Sequence, residues 1–520
     1  MSEKKESPAG ATSVDTERGA DIVVAPEQNA FQRLLHQRND LDALGKEMVQ
    51  QALQYDRAQL EADAVKVRWK LDLFVLPMLM VTYMLAFLDK QTLNYANAYG
   101  LQADTHMTGD NYSWVVSALY FGWLFGAWPW NMLLQRVAIG KLLGGSLFIW
   151  GAVCMLQATV TSFGGFVAIR FFLGMFEAVL SPACILITSM LWTRQEQSLR
   201  SSLWLSTNGL SNILGALLAY GSGVAEGLVI AQWKLIFLIV GALTFAWGFV
   251  IIIYLPDGPH NAKMLTEYER LVAVWRVSEN QMGLKDATIR PYQMREALLD
   301  GKCYLLWLMG IALGILNGSI TNFMSAIIKG FNFDALRASL LQAPGGAFEV
   351  CFSIAMGYMS QLPHMVGGST VIGCLVGIAA LVGILTIDIE HRYALVGMCW
   401  MLNTIGSPII LNWTLPGLNV AGHTKRSTVI GIYFICFVVG NIIGPHLFLP
   451  EEAPRYPTAI KGLLGTYCAI VFFQGLYALW CFLDNKKRDK LGQRADNEEE
   501  WLEGFEDLTD KQNKHFRYKL

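Results

Sequence analysis

Blocks of about 20 apolar residues recur along the chain, separated only by short polar breaks. Roughly 20 residues of helix cross the ~30 Å hydrocarbon core of a bilayer. A run without a polar face satisfies its backbone in lipid only as a helix or a closed barrel. The blocks fall at roughly 72–95, 114–134, 142–162, 166–192, 202–224 and 233–255, and then at roughly 303–328, 338–360, 367–387, 392–414, 427–449 and 461–483. Only 16% of the 520 residues are charged, against roughly 25% in a soluble domain. The expected fold is an all-α membrane protein of twelve transmembrane helices in two six-helix bundles.

The breaks set the organisation. Residues 1–70 read as a cytosolic N-terminal tail, disordered over 1–30 by composition and able to form a charged surface helix over 40–66. Residues 71–255 form the first bundle, 256–302 a cytosolic central loop, 303–483 the second bundle and 484–520 a cytosolic C-terminal tail. The best helix within the central loop is Thr266–Val277. The tail before the first block lacks the apolar core of a cleavable signal. Lys and Arg crowd one side: Arg136, Lys141, Arg194, Arg200, the central loop, Lys425, Arg426 and Lys486 to Arg488. That bias puts both termini in the cytosol.

Several functions are excluded. A net charge of -2 gives no nucleic-acid footprint. The nine cysteines lie in or beside apolar blocks with no CxxC pair, so they behave as small hydrophobes and form no metal or redox site. No phosphate-binding Gly-rich loop and no nucleophile–base pairing appears, so neither a nucleotide-driven pump nor an enzyme is expected. No cofactor is expected beyond a proton as coupling ion.

Ionisable groups at helix depth cost at least about 2.5 kcal/mol and therefore face a cavity or a partner. Asp89 and Lys90 stand in the first block, Arg170 and Glu177 in the fourth, and Glu349 in the eighth; Lys329 ends the seventh. Adjacent residues diverge by about 100° on a helix, so Asp89 and Lys90 need not satisfy each other. Arg170 and Glu177, two turns apart, share one face about 10 Å apart. A lysine facing a cavity can bind a carboxylate, and a buried glutamate can take a proton when its cation is drawn away. The bland alternatives are snorkelling for Asp89 and Lys90, and a packing network for Arg170 and Glu177. Glu349 suits a second proton site or a helix-pairing role equally, and Lys329 suits the interface more than binding. Asn208, Asn212, Asn317, Asn322, Asn403 and Asn441 lie at depth as lining or interhelical glue. Gly122 with Gly126, and Gly209 with Gly215, have helix-packing spacing.

Two six-helix halves around a cytosolic loop are how major facilitator transporters are built, with substrate near the midplane. Arg170-Phe-Phe-Leu-Gly-Met-Phe-Glu177, followed by Ser181-Pro182-Ala183, resembles the fourth-helix signature of the anion:cation symporter family within that superfamily. Asp89-Lys90 resembles the family's first-helix acid-plus-base pair, usually Asp-Arg. Asn419 to Arg426, Gly440 to Pro445, Ala453 to Tyr456, Ile327 to Phe331 and Leu255 to Pro259 resemble its fungal allantoate permease branch. One motif departs: the stretch Gly126 to Arg136 lacks the acid usual between spans two and three, so the gating salt bridge there must be absent or rebuilt.

The resemblance implies proton coupling through Asp89 and Glu177 and substrate binding through Lys90 and Arg170. Glu349 and Lys329, read from their depth alone, rank below them. It implies proton-coupled import of a small organic anion: allantoate, ureidosuccinate, a dipeptide or a vitamin-like carboxylate. The alternatives are an exporter of a fungal secondary metabolite and a nutrient-sensing receptor without net transport. The expected partners are that anion and membrane lipid, with no nucleic acid, and the chain is expected to act as a monomer. The plasma membrane is the expected location, with the vacuolar membrane as the alternative.

Overall fold

The computed structural model describes residues 48, 51–52, 54–134, 136–225, 230–278, 290–360, 362, 365–453, 455–490, 508–513 and 516–519. The tail segment expected to be disordered (1–30) lies outside the described residues. Among those described, every regular element is helical. The long helices are α1 (Arg57–Ala98), α2 (Asn111–Leu134), α3 (Ile139–Leu156), α4 (Phe163–Glu177 and Leu180–Leu191), α5 (Arg194–Val224) and α6 (Gln232–Tyr254). After the central segment come α7 (Gly301–Lys329), α8 (Ala343–Met359), α9 (Val366–Thr386), α10 (Arg392–Leu402 and Gly406–Asn419), α11 (His423–Ile443) and α12 (Pro457–Lys490).

Nine of these are long and apolar enough to cross a membrane: all except α2, α5 and α8. Of the three others, α8 is a 17-residue helix, while α2 carries Ser113 and Ser117 and α5 carries Asn208 and Asn212. The halves meet where α5 packs on α8, α2 on α11 and α1 on α7. Within the first half α1 packs on α5 and α6, α2 on α4, and α3 on α6. Within the second, α7 packs on α11 and α12, and α9 on α10 and α12.

Glycine decides how closely these helices approach. A Cβ added at Gly122 would lie 1.9 Å from the Phe171 carbonyl oxygen of α4. One at Gly346 would lie 2.3 Å from the Gly209 carbonyl oxygen of α5. Neither backbone can yield to a side chain, so the small-residue spacing seen in the sequence is a packing requirement.

α1 starts about 15 residues before its expected apolar boundary. Asp56 caps it by accepting from the Ala58 N–H, and residues 57–71 contain no Gly or Pro to break it. The extension is held by the central segment, whose helix Glu267–Ser278 lies where the sequence placed one. Lys70 reaches Glu269 at 2.6 Å and Tyr268 donates to Asp63 at 3.1 Å. The ion pairs described at this end of the first half join α1, α5 and that helix: Asp72–Arg200 at 2.6 Å, Glu196–Arg276 at 3.4 Å and Arg68–Glu196 at 3.7 Å. Asp257, in the Leu255 to Pro259 motif, accepts from Gly140 N at 2.9 Å and so caps the start of α3.

At the same end of the second half, Lys425 is not the solvated loop charge that the orientation bias suggests. It is fully buried and meets Asp510 at 2.6 Å, Asp300 at 3.0 Å and Glu296 at 3.0 Å. Asp510 belongs to the C-terminal segment, which folds back onto the bundle. Tyr518 donates to Asp510 at 2.7 Å and also pairs with Lys302. Asn419 exchanges two hydrogen bonds with Lys519 backbone, at 2.7 and 2.8 Å.

Candidate functional site

The three cross-half helix pairings enclose a central cavity of about 60 Å³. By this measure a water needs about 10–15 Å³, so the space admits only a few. Its polar lining includes Lys90, Gln91, Asn208, Asn212, Asn317 and Glu349, and its aromatic lining Tyr83, Tyr120, Trp123 and Trp413. The sequence-predicted residues divide around it. Lys90 and Glu349 line it from opposite halves. Asp89, Arg170 and Glu177 lie buried behind it within the first half, each 1% exposed. Lys329 stands exposed at the end of α7, remote from the lining.

Asp89 and Lys90 diverge as their adjacency requires. Asp89 turns toward α3 and accepts from the Trp150 indole at 2.8 Å and the Cys154 thiol at 2.9 Å. Lys90 turns toward α2 and α4, and its ammonium lies 4.2 Å from the centre of the Trp123 ring. The same Nζ lies 2.7 Å from Glu177 Oε1. Neither Glu177 oxygen has a geometrically aligned hydrogen-bond donor among the described residues. The Lys90–Glu177 contact is therefore a charge pairing rather than a directed hydrogen bond. Arg170 sits near the Phe237 ring at 5.8 Å, and its Nε and Nη2 have no hydrogen-bond partner among the described residues. Buried polar atoms in native proteins are nearly all paired. The unpaired atoms of Arg170 and Glu177 make this wall the candidate site.

From Glu349 a chain of amides runs through the wall. Asn212 donates to Glu349 at 2.7 Å and accepts from Gln91 at 2.7 Å. Asn94 donates to Gln91 at 3.3 Å and to Gln342 at 3.0 Å, and Gln342 donates to the Ser325 hydroxyl at 2.8 Å. Ser325 N–H in turn bonds the Asn94 carbonyl at 3.0 Å. The chain ties α1 and α5 of the first half to α7 and α8 of the second. Other bonds between the halves cluster at the same end, the end away from the central segment. Tyr112 donates to Asn322 O at 3.0 Å, Ser113 to Pro445 O at 3.0 Å and Ser117 to Ile442 O at 3.0 Å. Sequence reading marked Asn212 and Asn322 but passed over Gln91, Asn94 and Gln342. The available signal was polar side chains following Asp89 and Lys90 inside an apolar block.

Comparison with known proteins agrees with this architecture. Residues 79–445 match the family model of the Major Facilitator Superfamily. The chain is 38% identical over 472 residues to the uncharacterized transporter C417.10 of Schizosaccharomyces pombe, covering 90% of this chain and 91% of that protein. It is 32% identical to the allantoate permease of Saccharomyces cerevisiae, covering 88% of this chain and 86% of that protein. It is likewise 32% identical to the thiamine pathway transporter THI73 of the same yeast, over 87% of this chain and 86% of that protein. A bacterial homolog of the human lysosomal transporter Spinster, in an inward-facing and unoccupied conformation, shares the fold. Its TM-score is 0.57 at 14% identity, covering 79% of this chain and 96% of that one. Two packed helical halves, a polar cavity between them and a family match across both make this chain a multi-pass membrane transporter of the Major Facilitator Superfamily.

Proposed function

We propose that the protein imports a small organic anion together with a proton, and that the Lys90–Glu177 pair couples the two. The observation that carries this reading is the 2.7 Å contact between a lysine facing the cavity and a fully buried glutamate. An incoming carboxylate that takes Lys90 as its counter-ion strips Glu177 of its cation. An unpaired charge at this depth costs at least about 2.5 kcal/mol, and a proton on Glu177 removes that cost. The loaded site, Lys90 with the anion and Glu177 with a proton, then has the same net charge as the empty one. Neither the anion nor the proton satisfies the site alone, and that interdependence is what symport requires.

Glu177 suits the carrier role better than Asp89. Asp89 is already held by two donors from α3, whereas neither Glu177 oxygen has an aligned donor among the described residues. Arg170, with free guanidinium donors, keeps the wall positive and so favours an anionic solute. Glu349 on the opposite wall is a second carboxyl within reach of the same cavity. The concentration of Lys and Arg at the end bearing the central segment supports a cytosolic placement of both termini. Bonds between the halves gather at the other end, which supports a state closed on the far side, with the halves rocking about the cavity. The relatives' names, an allantoate permease and a thiamine pathway transporter, favour small polar solutes, and the plasma membrane is the location we assign.

The test is uptake of radiolabelled allantoate, ureidosuccinate and a dipeptide in permease-deficient yeast. Uptake by the wild type should rise as external pH falls. Absence of uptake of all three, with the protein confirmed at the cell surface, would sink the import reading and bring export forward.

A further inference from the structure

Two buried indole N–H groups beside the cavity have no acceptor. Trp123 Nε1, from α2 in the first half, and Trp413 Nε1, from α10 in the second, are each closed to solvent and without a hydrogen-bond partner among the described residues. A buried unpaired donor costs roughly 1–3 kcal/mol, and indole has no way to turn its single N–H elsewhere without moving the ring. Both rings are fixed. Trp123 stacks on Phe434 at 5.8 Å and 19° and carries the Lys90 ammonium on its face. Trp413 meets Phe437 edge-on at 5.3 Å and 86°. Phe434 and Phe437 lie one turn apart on α11, so one helix braces both indoles.

We propose that Trp123 and Trp413 form a hydrogen-bonding subsite for the oxygens of the transported anion, one donor from each half. The proposal rests on the anion reading given above and specifies its chemistry. The substrate is a small oxyanion with delocalised charge, as in a carboxylate. One oxygen lies by Lys90 and the acceptor positions it leaves free are met by the two indoles. In the unloaded state the two unpaired donors raise the energy of the site, and an arriving oxyanion relieves that cost. Because the donors come from different halves, the bound anion also bridges them. A neutral apolar solute of the same size would leave both donors unpaired and be rejected.

The experiment is equilibrium binding of radiolabelled allantoate and ureidosuccinate to the purified full-length protein in detergent. The proteins compared are the wild type, Trp123→Phe, Trp413→Phe and Trp204→Phe. Phenylalanine keeps the stacking surface and deletes the N–H. Trp204 is the control: its indole N–H is also buried and unpaired, but the residue lies outside the cavity lining. Each cavity variant should weaken binding about tenfold, the scale of one hydrogen bond to a charged group. Trp204→Phe should bind normally. Affinities within twofold of wild type for both cavity variants, or an equal loss in Trp204→Phe, would overturn the subsite. Failure of the wild type to bind either acid would instead sink the substrate reading and the subsite with it. If the variants do not fold, ¹⁵N-indole spectra of the wild type decide: two indole N–H signals should move downfield on adding the acid, and unmoved signals would refute the proposal.

Discussion

Asn94 ties the two halves together at the far end of the cavity, and its replacement should open that end. It is fully buried and makes two hydrogen bonds that cross between the halves, to Gln342 at 3.0 Å and from Ser325 N–H at 3.0 Å. Asn94→Leu keeps the heavy-atom count and branching and removes both. At about 1 kcal/mol net for each bond, the closed state loses about 2 kcal/mol relative to an open state in which water serves the same groups. That is a shift of about 30-fold in the closed-to-open ratio. The assay is whole-cell labelling of Thr321→Cys, a cavity-lining position, by a membrane-impermeant maleimide, with the exposed Cys351 and Cys468 replaced by Ser. While the open fraction is small, the labelling rate should rise by about the same factor in the Asn94→Leu background. An unchanged rate, with the protein folded and at the surface, would refute the view that the amide chain latches that end.

Gly346→Ala should separate α5 from α8, because the new Cβ would fall 2.3 Å from a backbone oxygen; a loss of about 1–3 kcal/mol should appear as a lower melting temperature in detergent, and wild-type stability would contradict the close approach. Lys425→Met should destabilise the protein by about 3–5 kcal/mol, since it leaves three carboxylates facing one another, and limited proteolysis should then cut the C-terminal segment faster. The same cluster predicts a pH dependence. Burial opposes ionisation of Asp300, but Lys425, Lys302 and Lys511 outweigh it and hold its carboxyl below the usual range. A depressed carboxyl stabilises the fold above the ordinary aspartate value near 3.9, and that contribution disappears as pH falls through the folded value. Release of the C-terminal segment should therefore grow on acidification below about pH 4, and Asp300→Asn should flatten the dependence.

The helices were legible because apolar length is a local property. So was the glycine spacing, and Gly122 and Gly209 do sit at helix crossings. The charges were legible as exceptions in an apolar background, and the divergence of Asp89 from Lys90 follows from helix geometry alone. Their partners were not legible. Nothing in the spacing says that Lys90 reaches Glu177 across α1 and α4, because that contact is set by how two helices cross. The clasp at Lys425 was hidden for the same reason: Asp510 and Tyr518 look like ordinary members of a mixed-charge tail until the chain returns to α11. Trp123 and Trp413 could not be told from the other aromatic residues, since an unpaired N–H is a property of the surroundings and not of the residue. The start of α1 was misplaced because apolarity ends before helicity does.

Purified protein in liposomes tests the coupling role of Glu177. Two modes are compared for wild type and Glu177→Gln with radiolabelled allantoate: accumulation driven by a pH gradient, and exchange of internal for external substrate without one. Glu177→Gln should keep exchange, because Lys90 still meets the anion beside a neutral glutamine, and should lose gradient-driven accumulation. Accumulation in Glu177→Gln equal to that of the wild type would contradict that role.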